Sequence, residues 1–327
     1  SAPDFGVVVR HPCAAGQKGE GKGQNVNIRM PWNQTGKGIR EMVRGRHRAG
    51  RWLGTLIALL ALASLAPTAA ETTMVAPDSR ELKLLIQTEV FADRADGYAR
   101  CWGIMKDLAA EMGVQAIDAK DPFAEGVRKV MYLDTHSGRL DQENRSLRLR
   151  IKLKDGKLED KVDLNLKYRR SDVDAVPSDA VTAAAGIKAS FSYEEDVAGF
   201  IGGVAGQNSS AASMACTIKG VAAEKLAGNT LAVYAEYFPS LVILGIPLDS
   251  PLKMVGGIAI REHKVTPGEL DFGQGMKTEV DISVWYNFDT GEIITAEISY
   301  GSALGSEAPA AAVARAEATL TPMSRTS

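Results

Sequence analysis

Apolar and basic residues alternate without a break through Leu147-Arg148-Leu149-Arg150-Ile151-Lys152-Leu153-Lys154. Successive side chains of a strand point to opposite faces, so the four apolar residues share one face and the four basic residues the other. A helix would scatter both sets around its circumference, so the stretch reads as a strand. Four like charges on one face need water, carboxylates or an anionic ligand beside them. The same period of two recurs along the chain. Residues 81–87 alternate, with Glu81 and Lys83 on one face and Leu82, Leu84 and Ile86 on the other. Asp93 then caps a helix running to about Met112, where Gly113 ends it. Tyr98, Cys101, Trp102, Met105, Leu108 and Ala109 recur at helical spacing and read as core. Residues 127–135 form the next strand, Ser137-Gly138 a turn, and Asp155-Gly156 a hairpin turn after the basic strand. Val162, Leu164, Leu166 and Tyr168 alternate with Lys161, Asp163, Asn165, Lys167 and Arg169 to complete that hairpin.

The pattern weakens over residues 171–250. Short strands fit 191–197, 214–218 and 231–237, and the Gly-, Ala- and Ser-rich stretch 197–213 reads as a loop. Periodicity resumes at 258–264, and a second hairpin spans 278–288 and 292–300 around Asp289-Thr290-Gly291. Eight or nine strands with one clear helix, mostly joined by tight turns, imply an antiparallel sheet. Exposed edges are a liability, so closure into a barrel is expected.

Charge adds a local feature to an ordinary globular composition. The net charge is -2 over 327 residues. Residues 1–70 carry ten Lys and Arg against three Asp and Glu, and the remainder carries 28 against 37. An acidic domain with one basic strand suggests a local anion site and argues against a nucleic-acid surface. Residues 42–70 read as a signal peptide: Arg44, Arg46, Arg48 and Arg51, then an apolar run from Leu53 to Ala66, then Thr68-Ala69-Ala70 for cleavage. Export to a bacterial periplasm or the exterior is expected, with no stable membrane span after cleavage. Residues 1–41 read as a disordered upstream extension and 301–327 as a disordered tail. Of three cysteines, Cys101 and Cys216 fall in the exported part, as a pair or as two buried thiols.

The ordered set Tyr132-Leu133-Asp134-Thr135, Gly138-Arg139-Leu140, Ser146-Leu147-Arg148-Leu149-Arg150 and Leu164-Asn165-Leu166-Lys167 resembles the core of the CYTH superfamily, the triphosphate tunnel metalloenzymes. The family's opening Glu-x-Glu-x-Lys is matched by Ser79-Arg80-Glu81-Leu82-Lys83, with Ser79 in place of the first Glu. Its late Glu-x-Glu is matched by Glu297-Ile298-Ser299, with Ser299 in place of the second. The resemblance implies an α+β fold over 71–300, a mainly antiparallel eight-stranded closed β-barrel or tunnel with flanking helices. It leaves 171–257 unassigned. The charged faces would line the tunnel and the apolar faces point outward.

The resemblance also implies roles. Lys83, Arg148, Arg150 and Lys167, with Arg261, would meet a polyphosphate or another phosphorylated small molecule. Glu81 and Glu297, with Asp281 or Glu279, would hold Mg²⁺ or Mn²⁺. Glu81 and Lys83 would be catalytic in a triphosphate or polyphosphate hydrolase. Two other readings stay open: a barrel that binds a polyanion without turnover, and a barrel whose lumen is apolar, lined by Leu147, Leu149 and Leu164. His136 and His263 read as surface or structural histidines. Glu194-Glu195-Asp196 reads as a solvated acidic turn, with a cation patch as the alternative. Arg169-Arg170 either extends the anion site or ends a strand.

Overall fold

A computed structural model describes residues 72–304, apart from 172 and 201–208. The expected leader, the stretch before it and the tail lie outside the described residues. Among the described residues thirteen strands occur in chain order: β1 Met74–Val75, β2 Ser79–Ile86, β3 Gln115–Asp118, β4 Gly126–Thr135, β5 Arg145–Lys154, β6 Lys157–Ser171 and β7 Val176–Pro177. They continue with β8 Ser190–Phe200, β9 Ser209–Ala222, β10 Leu252–Met254, β11 Ile260–Asp271, β12 Lys277–Asn287 and β13 Ile293–Ala303. Three α-helices accompany them: α1 Arg94–Glu111, α2 Arg139–Gln142 and α3 Leu231–Ala235.

Nine strands close into a barrel in the order β4-β5-β6-β9-β8-β2-β13-β12-β11, with β11 returning to β4. The expected eight-stranded ring is corrected to nine. A closed ring whose neighbours all ran antiparallel would need an even number of strands. With nine, one seam must be parallel, and β2 against β8 is that seam, pairing Ser79 with Glu194 and Glu81 with Asp196. The unassigned stretch 171–257 supplies β8 and β9. The loop expected over 197–213 is instead largely strand on either side of 201–208, and the strand expected at 231–237 is helix α3.

Local chemistry explains several of these elements. Asp155 and Gly156 take φ of 49° and 73°, the left-handed pair that a two-residue hairpin turn requires between β5 and β6. The Asp93 carboxylate accepts the Asp96 backbone N–H at 3.0 Å and starts α1. In the Tyr132–Thr135 motif, Asp134 accepts backbone N–H groups from Leu140 at 2.8 Å and Asp141 at 3.0 Å. That carboxylate therefore orders the turn into α2.

Two apolar layers cover the barrel from outside. One packs Tyr98, Trp102 and Met105 of α1 onto Leu82, Leu84, Val280, Ile282 and Ile298. The other packs Leu231, Tyr234, Phe238 and Leu241 onto Leu147, Leu149, Leu164 and Leu166. Leu147 and Leu164 are fully buried in that outer layer. This overturns the reading in which they line the lumen. Cys101 and Cys216 are free thiols, one in each layer. Among the described residues, no helix is long and apolar enough to cross a membrane.

Candidate functional site: a charged barrel lumen

The register carries the opposite face of every strand into the lumen. On β4, β5 and β6 the inward residues include Arg128, Tyr132, Arg148, Arg150, Lys167 and Arg169, because Arg128 pairs with Lys152, Tyr132 with Arg148 and Arg148 with Asn165. The facing wall carries Glu194 and Asp196 on β8, Glu81 and Lys83 on β2, Glu297 on β13, Asp281 on β12, and Glu262 and Lys264 on β11. One arc of the barrel is basic. The other is mainly acidic.

Asp196 is the most enclosed of these charges, with a side chain that is 0% exposed. Three cations hold it: Lys167 Nζ at 2.8 Å, Arg169 Nε at 3.0 Å and Lys83 Nζ at 3.3 Å. Burial alone would push the Asp196 carboxyl up, but Lys167, Arg169 and Lys83 outweigh it and hold the group well below the usual carboxylate range. Lys167 is pulled down by burial and by its neighbours Arg169 and Lys83, against the attraction of Asp196 and Glu194. For Lys83, burial acts downward, and the carboxylates of Glu81, Asp196 and Glu297 more than reverse it. Glu81 lies 2.8 Å from Lys83, and Glu194 lies 3.2 Å from Lys167.

The expected site residues divide accordingly. Glu81, Lys83, Arg148, Arg150, Lys167 and Glu297 share the lumen. Burial raises the Glu297 carboxyl, and Glu81, Glu262 and Asp196 add to the rise while Lys83 opposes it. Asp281 also faces inward, but it accepts from Thr266 Oγ1 at 2.7 Å and pairs with Lys264. Arg261 is corrected: it points outward, its guanidinium 4.8 Å from the centre of the Phe288 ring. Its neighbour Glu262 takes the inward position, 3.6 Å from Arg150 and 3.5 Å from Arg128. The alternation at 260–264 has polar residues on both faces, so the sequence does not fix which face turns in. Arg169 faces the lumen beside Asp196 at 3.0 Å rather than merely ending its strand.

Glu194 and Asp196 are corrected from a solvated turn to lumen residues. Their signal was present in the sequence, since Ser192, Glu194 and Asp196 alternate with Phe191, Tyr193 and Val197. Glu195 points outward to Arg80 at 2.7 Å. His263 and His136 sit outside the lumen, beside Glu125 and Lys253 at 3.0 Å each.

Several donors in the lumen lack an acceptor within the protein. Arg148 Nε, Arg150 Nε and Trp285 Nε1 are all buried without a hydrogen-bond partner. Arg139, Arg145 and Arg261 also have a bare Nε, but Arg145 and Arg261 spend their guanidinium groups on the rings of Tyr168 and Phe288. For a divalent cation, Glu81, Glu194 and Asp196 place carboxylate oxygens within 4.8 Å of one another. Hard oxygen donors of this kind suit Mg²⁺. In charge, however, Lys83, Lys167 and Arg169 already balance Asp196 and its neighbours.

The architecture is a closed, tunnel-type barrel of the kind that the sequence resemblance implies, with Arg148 and Arg150 of β5 and Lys167 of β6 inside. No protein-family model matches the chain, and no curated protein matches it. Among solved structures, the chain is similar to a candidate adenylate cyclase from Bacillus halodurans at 15% identity and a TM-score of 0.37, covering 76% of this chain and 92% of that one. It is also similar to a candidate adenylyl cyclase from Hippeastrum, described as having a dominant triphosphatase activity, at 13% identity and a TM-score of 0.37, covering 76% and 85%. A protein from Pyrococcus horikoshii is similar at 13% identity and a TM-score of 0.29, covering 76% and 88%.

Proposed function

We propose that the lumen binds the phosphate chain of a triphosphate or polyphosphate and, with a divalent cation, hydrolyses it. The observation that carries this reading is the set of bare donors on the basic arc. A buried donor without a partner costs about 1–3 kcal/mol. Arg148 and Arg150 retain this cost on one face of β5, turned into the barrel, where phosphate oxygens would supply the missing acceptors. Arg offers a forked set of donors that matches phosphate geometry. Lys167 and Lys83 extend the positive surface toward the acidic arc.

A phosphate chain on the basic arc meets like charge from Glu81, Glu194 and Glu297. Glu81 and Glu194, whose carboxylate oxygens lie within 4.8 Å of one another, would hold a Mg²⁺ or Mn²⁺ ion, with Glu297 as a further lumen carboxylate, and the ion would polarise the phosphoryl group and orient a water. The residues themselves have defined tasks. Arg148 and Arg150 fix the chain, Lys83 neutralises negative charge on the transferred phosphoryl group, and Glu81 keeps Lys83 oriented at 2.8 Å.

The reading of capture without turnover has one observation in its favour: Ser79 and Ser299 stand where two further carboxylates would strengthen the metal site. Protein from Glu71 onward, incubated with tripolyphosphate, long-chain polyphosphate or ATP, with Mg²⁺, Mn²⁺ or chelator, separates the two. Metal-dependent phosphate release supports hydrolysis. Calorimetric binding without release supports capture. Neither binding nor release refutes both.

A further inference from the structure

We propose that Asp196 is a resident anion that occupies the Lys83–Lys167–Arg169 end of the phosphate site and makes the lumen select chains over single phosphates. The proposal rests on the phosphate-chain reading above and deepens it. Asp196 belongs to none of the motifs that the sequence resemblance carries. Its side chain is 0% exposed and meets three cations between 2.8 and 3.3 Å. No other carboxylate of the lumen meets more than two cations among the described ion pairs.

The lumen therefore holds two cationic groups in different states. Arg148 and Arg150 each present a bare Nε, and the one carboxylate paired with them, Glu262, reaches Arg150 only at 3.6 Å. Lys83, Lys167 and Arg169 are already answered by a tethered carboxylate. A single phosphate gains only the first group, because at the second it must displace an anion that is covalently part of the wall. A chain anchored at Arg148 and Arg150 brings its next phosphates to the second group at high effective concentration. It can then exchange with Asp196 for Lys167. Asp196 thus acts as a specificity-determining residue through the cations it holds.

Asp196→Asn keeps the size of the side chain and removes its charge. The test titrates tripolyphosphate and orthophosphate, in the presence of chelator, into wild type and into this variant by calorimetry. Wild type is expected to favour tripolyphosphate strongly. The variant is expected to bind orthophosphate about tenfold more tightly or better, given the strength of hydrogen bonds to charged groups, so that the gap between the two ligands narrows. The variant leaves three cations crowded, so its melting temperature is measured with and without orthophosphate. Phosphate should raise it by several degrees in the variant and hardly at all in wild type.

Asp196→Asn/Lys167→Gln, which removes the pair together, should gain no orthophosphate affinity. Wild-type binding of tripolyphosphate with unchanged or weaker orthophosphate binding by a folded Asp196→Asn variant, and no thermal rescue, overturns the resident-anion role while leaving the phosphate-chain reading intact. An absence of binding by wild type and by both variants overturns the two together.

Discussion

Leu147 and Arg148 are chain neighbours that face opposite ways, and replacing each by alanine separates what holds the barrel from what fills it. Leu147 is fully buried in the outer apolar layer, beside Leu164 and Leu166. Removing a buried leucine side chain costs about 2–5 kcal/mol, from lost transfer energy and the cavity left behind. In a barrel of this size that lowers the melting temperature by roughly 5–15 °C. Arg148 loses its attraction to Tyr132 and Glu262 when truncated, but its unmatched Nε goes with it. The two effects offset, so stability should change by about 1 kcal/mol or less.

Binding responds the other way. A charge-assisted hydrogen bond is worth about 1.5–3 kcal/mol, so Arg148→Ala should weaken tripolyphosphate binding by roughly 10–150-fold. Leu147→Ala should leave affinity within about threefold at a temperature where it is folded. Thermal unfolding followed by circular dichroism, and calorimetric titration on the same samples, read both quantities. The inside–outside assignment is refuted if Arg148→Ala unfolds the protein while Leu147→Ala does not. The site assignment is refuted if Arg148→Ala binds as tightly as wild type.

Two further outcomes follow from other parts of the barrel. The Glu297 carboxyl is raised in the folded state, first by burial and then by neighbouring carboxylates, so stability is full at low pH and is lost as pH rises through the shifted value. Glu297→Gln should therefore melt higher than wild type at pH 8, with the gap closing near pH 4; a gap that widens toward acid would contradict the assignment. Gly268 lies where an added Cβ would meet the Ile117 carbonyl oxygen at 2.2 Å and Trp102 at 2.7 Å. Gly268→Ala should cost about 3 kcal/mol or more by forcing α1 and β3 off the barrel, and a melting temperature within about 2 °C of wild type would show that this contact yields.

What could be read from the sequence was local. Alternation at 147–154, the Asp155-Gly156 turn and the Asp93 cap each involve residues close in the chain, and their structures follow from side-chain period and backbone sterics. The ordered motifs added the direction of the basic face, which the pattern alone left open. Long-range facts were not legible. The ninth strand and the parallel seam depend on pairing Ser79 with Glu194, more than a hundred residues away. The resemblance implies an inward Arg261; β11 carries polar residues on both faces, and only its pairing with Tyr286 and Lys129 turns Arg261 outward. Asp196 looked solvated because three consecutive acids imply water, whereas the strand splits them between the lumen and the Arg80 side.

The parallel seam also has a consequence for how the protein comes to exist. Hairpins such as β5–β6 and β12–β13 join strands that follow each other closely, and such pairs form quickly. Strand β2 has no such neighbour. It waits for β8 on one side and for β13 on the other, and β13 pairs Ser299 with Lys83 at the far end of the barrel sequence. During synthesis β2 emerges first of the ring and completes its pairing last, when β13 docks beside it. Because β2 carries Glu81 and Lys83, the binding chamber is incomplete until the final strand docks. Completion of the site and closure of the fold thus coincide, and a chain stalled before β13 would lack Glu297 and leave β2 and β12 without their shared neighbour.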